Sequence, residues 1–396
     1  MTERATVTPL ELFFDLVFVF ALTQVTALMA DQPSGEGVLR GMLILSVLWW
    51  CWVGYAWLGN VVRADEGIIR LAMFGAMAAM FVLALTIPES FDDLPGGLSG
   101  PVVFAAGYFV VRLAHLGWFL AISRGDPVLR RQVLRFAPSV ILGTSILLVA
   151  SQLDGPLQTA MWAAALAADY VGTQLAGASG WRVNSARHFS ERHGLIIIVA
   201  LGESIVSIGI GVTELPISWP IVFASVLGLA LSAGLWWSYF DVASLHCEHA
   251  LAAADGEQRA RLARDGYSFL HLPMIAGIIL LSLGLKKVLG YVGGDDGHSW
   301  ADPLYGVPLA ALYGGVALFL LGHVAFRLRI TGIVEWPRLV AVLVLVGATP
   351  AVANLASLVS LAVLTGLVAA LVGFETLRYA EERRRLRSHE GSPTAE

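Results

Sequence analysis

The feature that most constrains this chain is the spacing of its polar residues. Apolar stretches of about 18–22 residues recur from one end to the other, parted by short polar segments. A helix rises about 1.5 Å per residue, so about 20 such residues carry it across a hydrocarbon core of about 30 Å. Charged residues fill only 14% of the 396 positions, against about 25% in a soluble globular protein. Mean hydropathy is correspondingly high, at +0.73. The expectation is an all-α integral membrane protein with no soluble domain.

The spans fall near 10–30, 38–59, 68–87, 101–122, 133–150, 157–178, 193–212, 218–240, 267–289, 303–325, 338–354 and 356–376. The expected number is about twelve. Eleven or thirteen stay open, because the fifth and eleventh spans are short and only Pro350 to Asn354 separates the last two. The first span begins at Leu10 without a basic leader and carries Glu11 and Asp15, so it reads as a retained helix and not as a cleaved signal. Cys51 and Cys247 lie on different segments without CxxC spacing, which suggests neither a disulfide framework nor a zinc ribbon.

Loop charge orients the spans. With the N-terminus in the cytoplasm, the inner loops hold Arg63 and Arg70, then Arg124, Arg130, Arg131 and Arg135, then Arg182, Arg187 and Arg192. Further along they hold Arg259, Arg261 and Arg264, then Arg327, Arg329 and Arg338, and last the tail at Arg383, Arg384, Arg385 and Arg387. The outer loops keep Arg40, Lys286 and Lys287 among acidic residues such as Glu89, Asp92, Asp93, Asp154, Glu214, Asp295 and Asp296. This alternation follows the positive-inside rule and places both termini in the cytoplasm.

The chain also repeats itself. Leu48 to Trp52 parallels Leu235 to Tyr239, Arg70 to Met73 parallels His271 to Met274, and Leu113 to His115 parallels Leu321 to His323. More weakly, Ala21 to Gln24 matches Ala200 to Glu203. Four matches in one order, six spans apart, predict a duplicated 6+6 bundle with halves at 1–180 and 181–378 and a polar tail at 379–396, expected to be disordered. An even number of spans per half keeps both copies in one orientation.

A charge near the bilayer centre costs about 2.5–3.5 kcal/mol on insertion scales, so embedded polar residues are candidates for function. They are Glu11, Asp15 and Gln24 in the first span; Arg112 and His115 in the fourth; Asp169 in the sixth; Glu191, His193, Glu203 and Ser204 at and within the seventh; Asp241 after the eighth; His271 in the ninth; and His323 in the tenth. Most fall in the cytoplasmic half of the assigned topology, which points to a polar cavity open to the cytoplasm. A plainer use exists for each group: His115 and His323 as bonds between helices, Glu11, Glu191 and His193 as interfacial residues, and the Trp49–Trp52 and Trp236–Trp237 clusters as anchors. Asp15, Arg112 and Glu203 are harder to explain that way, because a carboxylate cannot snorkel to the interface as far as an arginine can.

Two chemistries compete for these residues. Twelve spans in parallel halves with embedded acids suit a proton-linked secondary transporter of a small or lipid-like molecule, since a buried carboxylate or imidazole can load and release a proton near neutral pH. The same groups in a dry cavity suit an intramembrane enzyme acting on a lipid or isoprenoid. A membrane scaffold or cold-response sensor is the third alternative. No cofactor is expected; His188, His193, His246, Glu248 and His249 offer weak ligands for a divalent metal, with no HExxH or histidine-box spacing. No nucleic-acid patch occurs. The expected partners are membrane lipids and a substrate the residues do not name.

Two segments carry a resemblance: Glu11-Leu-Phe-Phe-Asp15-Leu-Val-Phe-Val-Phe-Ala-Leu-Thr-Gln24, and Glu191-Arg-His193-Gly-Leu-Ile-Ile-Ile-Val-Ala-Leu-Gly-Glu203-Ser204-Ile. Together they resemble the hallmark segments of the bacterial low temperature requirement A (LtrA) family, with similarity from about residue 7 to 378. The resemblance implies a multispanning protein of the bacterial inner membrane. It marks Glu11, Asp15, Gln24, Glu191, His193, Glu203 and Ser204 as the family's polar positions. It carries no settled activity, so transport and catalysis both stay open.

Overall fold

The computed structural model describes residues 6–62, 67–213, 215–241, 243–294 and 297–380. Arg63, Glu214, Asp295, Asp296 and the arginine-rich tail from 381 onward lie outside the described residues. Long helices come in chain order as α1 (Pro9–Asp31), α2 (Gly35–Val61), α3 (Gly67–Leu85), α4 (Gly100–Ile122), α5 (Pro127–Ala150), α6 (Gly155–Ala176), α7 (Ala186–Ile210) and α8 (Trp219–Phe240). Two short helices follow, α9 (Ala243–Ala253) and α10 (Gly256–Leu262), then a π-helical stretch at Ala263–Phe269. The chain closes with α11 (His271–Gly293), α12 (Gly306–Thr331), α13 (Trp336–Val352) and α14 (Ser357–Arg378).

Among the described residues, ten helices are long and apolar enough to cross a membrane. Two of the expected twelve are not among them. α13 is apolar but has only 17 residues. α6 has 22 residues but carries Gln158, Asp169 and Gln174.

Local chemistry sets the helix ends. Thr8 starts α1 with a capping box: its hydroxyl accepts the Glu11 N–H, and Glu11 Oε2 accepts the Thr8 N–H at 2.9 Å. Proline opens α1, α4, α5, α6, α8 and α13, where its missing donor costs nothing. Gly294 and Gly332 close α11 and α12 in the left-handed conformation (φ 89° and 73°), which only glycine adopts freely.

The chain forms two compact units. One comprises residues 1–199 with 254–268, and the other 200–253 with 269–396, so the division falls inside α7. In the first unit α1 packs on α2 and α3, α4 on α2, α3 and α5, and α6 on α5 and α2. In the second, α12 packs on α11 and α13, and α14 on α13, α8 and α11. The tightest crossing there is α11 on α12. A Cβ added at Gly277 would stand 2.5 Å from the Gly315 carbonyl oxygen, and one at Gly315 would stand 2.6 Å from the Gly277 oxygen. Small residues let these backbones touch, as packing between helices in lipid requires.

Candidate functional site

The site of the first unit starts from two matched pairs. Glu11 and Asp15 lie four apart on α1, and His188 and Arg192 lie four apart on α7, so each pair shares one helical face. The two faces meet. His188 Nε2 stands 3.0 and 3.1 Å from the Glu11 carboxylate oxygens. Arg192 grips Asp15 with both ends of its fork, Nη1 to Oδ2 at 2.7 Å and Nη2 to Oδ1 at 2.9 Å, and Nη1 also donates to the Glu11 carbonyl. Trp52 of α2 donates its indole N–H to Asp15 Oδ1 at 2.8 Å, and its ring lies beneath the Arg192 guanidinium. All four charged or titratable side chains are buried, which makes their pairing obligatory.

Asn60, near the end of α2, sets the state of His188. Its Oδ1 accepts the backbone N–H groups of Asn184 and Ser185, which can only donate, so the amide orientation is fixed. Nδ2 then donates to the Ser185 carbonyl and faces His188 Nδ1 at 3.2 Å. Nδ1 must therefore present a lone pair, and the ring proton sits on Nε2 toward Glu11. With the imidazole neutral, two carboxylates face one guanidinium.

An aromatic layer lies beside this centre. Trp49 stacks on Trp52, and His193 meets Trp52 edge-on at 5.0 Å, its Nδ1 donating to the Phe189 carbonyl. Trp49 and Trp57 both donate to Ser268, to its carbonyl and its hydroxyl respectively. Ser268 belongs to the π-helical stretch, and Tyr267 beside it bonds Ser190 of α7. Such π-segments occur often at functional sites, because the wider turn re-aims side chains.

The opposite face of α2 borders a cavity of about 50 Å³. Its walls include Trp50, Trp57, Phe119, Phe136 and Trp181, with Arg112 and His115 among them. Arg112 pairs with Asp169 at 2.9 Å, and Asp169 also accepts the Tyr108 hydroxyl. Among the described residues, Arg112 Nε and both His115 ring nitrogens are buried and have no hydrogen-bond partner. Polar groups thus stand ready at a small aromatic-walled space.

The second unit holds another buried ionic cluster. Arg338 of α13 binds Glu375 of α14 with two bonds, Nε to Oε1 at 2.9 Å and Nη2 to Oε2 at 3.0 Å, and also donates to the Ser238 carbonyl. Its Nη1 meets His323 Nδ1, which lies 3.1 Å from Glu335 Oε2. Arg327 pairs with the other Glu335 oxygen. Two arginines here balance two glutamates. Glu335 lies in the connection before α13, outside the spans. Burial alone raises its carboxyl, but the His323 hydrogen bond and the Arg338 and Arg327 charges override burial and hold it well below the carboxylate range.

The remaining expected residues scatter. Gln24 is half-buried on α1. Glu191 is partly exposed and pairs with Arg187 at the surface. Glu203 is buried and accepts the Ser207 hydroxyl at 2.8 Å, while Ser204 bonds Ser232 and the Leu201 carbonyl. His271 meets the Tyr239 hydroxyl at 2.9 Å, and Asp241 is half-buried at the end of α8. Of the suggested metal ligands, His188 is occupied by Glu11 and Asn60, His193 by Phe189, and His246 lies 3.5 Å from Arg327, whereas Glu248 is half-buried and His249 exposed. Among the described residues, no group of three or more His, Cys, Asp or Glu is arranged to hold a metal.

Sequence reasoning placed Arg192, Arg327 and Arg338 among wet loop charges, yet all three are buried and paired. It passed over Asn60, Glu335 and Glu375 entirely. The available signal was spacing: the 188/192 interval, a histidine and an arginine, repeats the 11/15 interval of two acids.

Apolar helices of spanning length, with the buried charges paired across them, are the construction of a multi-pass membrane protein. The chain belongs to the bacterial low temperature requirement A (LtrA) protein family, which it matches over residues 6–373. It is similar to an uncharacterized protein of Rhizobium meliloti (strain 1021), 29% identical over 325 residues that cover 79% of this chain and 75% of that one. No solved structure matches it.

Proposed function

We infer that the protein is a proton-linked secondary transporter of a small or lipid-like molecule in the bacterial inner membrane. The observation that carries this reading is the buried, charge-unbalanced centre of Glu11, Asp15, His188 and Arg192. A proton taken up by the Glu11–His188 pair cancels the excess charge and leaves Asp15–Arg192 as a balanced pair. That changes what holds α1, α2 and α7 together, because Trp52 and Asn60 tie α2 to the same groups. Through Trp49, Trp57 and Ser268 the change reaches the cavity on the other face of α2. At about 50 Å³ the cavity admits only water-sized groups, so carrying a substrate requires it to widen.

In this reading α6 and α13 also cross the membrane, making twelve spans in duplicated halves with both termini cytoplasmic. Supporting the duplication, the pairings α3–α4, α4–α5, α5–α6 and α2–α6 of the first unit recur as α11–α12, α12–α13, α13–α14 and α8–α14 in the second.

The test is substrate-dependent proton flux in liposomes containing the purified protein and a pH-sensitive dye. Pools of amino acids, organic acids, polyamines and isoprenoid alcohols are added under an imposed pH gradient. A pool that moves protons with wild-type protein but not with Glu11→Gln supports the reading; flux unchanged in Glu11→Gln sinks it. A second reading, an intramembrane enzyme on a lipid or isoprenoid, draws on His115 and Arg112 at the cavity. Turnover by detergent-purified protein, with no second compartment, would favour it.

A further inference from the structure

The second unit carries a groove that the ionic clusters do not use. It runs between α13 and α14, has a volume of about 470 Å³, and is lined by apolar side chains almost throughout. Trp336, Val340 and Val344 face it from α13, and Leu367, Leu371 and Arg378 from α14. Several of these, Trp336 and Val340 among them, are exposed, so the groove opens outward from the helix pair.

Its length and its ends identify the occupant. The lining positions on α14 run from Leu367 to Arg378, and these eleven residue steps make about 16 Å of helix rise. That is one leaflet of a hydrocarbon core about 30 Å thick. The other end of the groove is apolar, while this end carries Trp336 and Arg378, the residue types that mark the headgroup level. Arg378 closes the last turn of α14, exposed, with its guanidinium 5.8 Å from the centres of the Phe374 and Tyr379 rings. A cation at the mouth of a leaflet-deep apolar groove is complementary to one class of molecule. We propose that the α13–α14 groove binds an anionic phospholipid, one acyl chain lying along Val340, Val344 and Leu367 and the phosphate resting on Arg378.

Native mass spectrometry of the detergent-purified full chain tests this, with palmitoyl-oleoyl phosphatidylglycerol and the corresponding phosphatidylcholine as probes. Wild-type protein should retain the glycerol lipid at lower concentration than the choline lipid. Arg378→Gln, at an exposed position, should weaken the glycerol lipid about fivefold, the effect of one cation near a net-charged headgroup, and weaken the choline lipid less, because its own ammonium already neutralises the phosphate. Val344→Trp, which fills the groove, should weaken both. The proposal is overturned if wild-type protein retains the two lipids alike or if Val344→Trp changes neither. It is also overturned if the preference survives Arg378→Gln but disappears when Arg383, Arg384, Arg385 and Arg387 are changed to Gln, which would assign it to the tail. A protein dimer that Val344→Trp dissociates would give the groove to a second copy instead.

Discussion

Asn60 Nδ2 faces His188 Nδ1 at 3.2 Å, and this contact turns the imidazole proton toward Glu11. One neutral side chain, anchored by two backbone N–H groups, thus sets the direction in which the centre holds its proton. Replacing it tests that control. Asn60→Leu should leave the Asn184 and Ser185 N–H groups and His188 Nδ1 without partners. Each buried unsatisfied group costs about 1–3 kcal/mol, so a clear fall in the thermal midpoint in detergent is expected. An unchanged midpoint would mean that water replaces the amide.

Arg192 and Asp15 form a two-pronged pair inside the first unit, and breaking such a pair is far worse than removing it. Arg192→Met should destabilise by about 3–5 kcal/mol, because Asp15 is left buried and uncompensated. Arg192→Met combined with Asp15→Leu should recover much of that loss. Chemical unfolding of the two single variants and the double variant measures the coupling; simple additivity would contradict the pairing.

Gly277 and Gly315 face each other where α11 crosses α12. Gly277→Ala should destabilise by about 1–3 kcal/mol or more, because the added methyl meets backbone and not a flexible side chain. Gly366→Ala on α14 opens onto empty space and should be neutral or slightly stabilising. Equal thermal midpoints for the two variants would show that the crossing can relax.

Glu335 supplies the pH test. Its carboxyl is held below the ordinary value of 4.5, so the folded state binds this proton more weakly than the unfolded chain does. The stabilisation is therefore complete above about pH 4.5 and is lost as the pH falls toward the native value. Glu335→Gln should be less stable than wild type at neutral pH, with the gap closing on acidification below 4.5. A gap that stays constant with pH would remove the charge from the explanation.

The membrane class was legible because it rests on a one-dimensional quantity, the length of apolar runs against the thickness of a bilayer. Helix ends were read only from the apolar runs, whereas the structure sets them within one turn by prolines, Thr8 and Ser218. The acids of the site were legible too, because a carboxylate in an apolar run stands out. Their partners were not. Arg192, Arg327 and Arg338 sit at the ends of apolar runs, where the sequence offers a wet loop and a buried ion pair equally well.

Sequence alone therefore determined that this chain is an assembly of apolar helices with acids embedded in them, and that it resembles the LtrA family. Tertiary structure decided which arginine meets which acid, that Asn60 orients His188, and that Glu191 stays at the surface while its neighbour Arg192 turns inward. The reason is geometric. Spacing along one helix fixes which residues share a face, but only the packing of that face against another helix decides whether a charge meets water or its opposite.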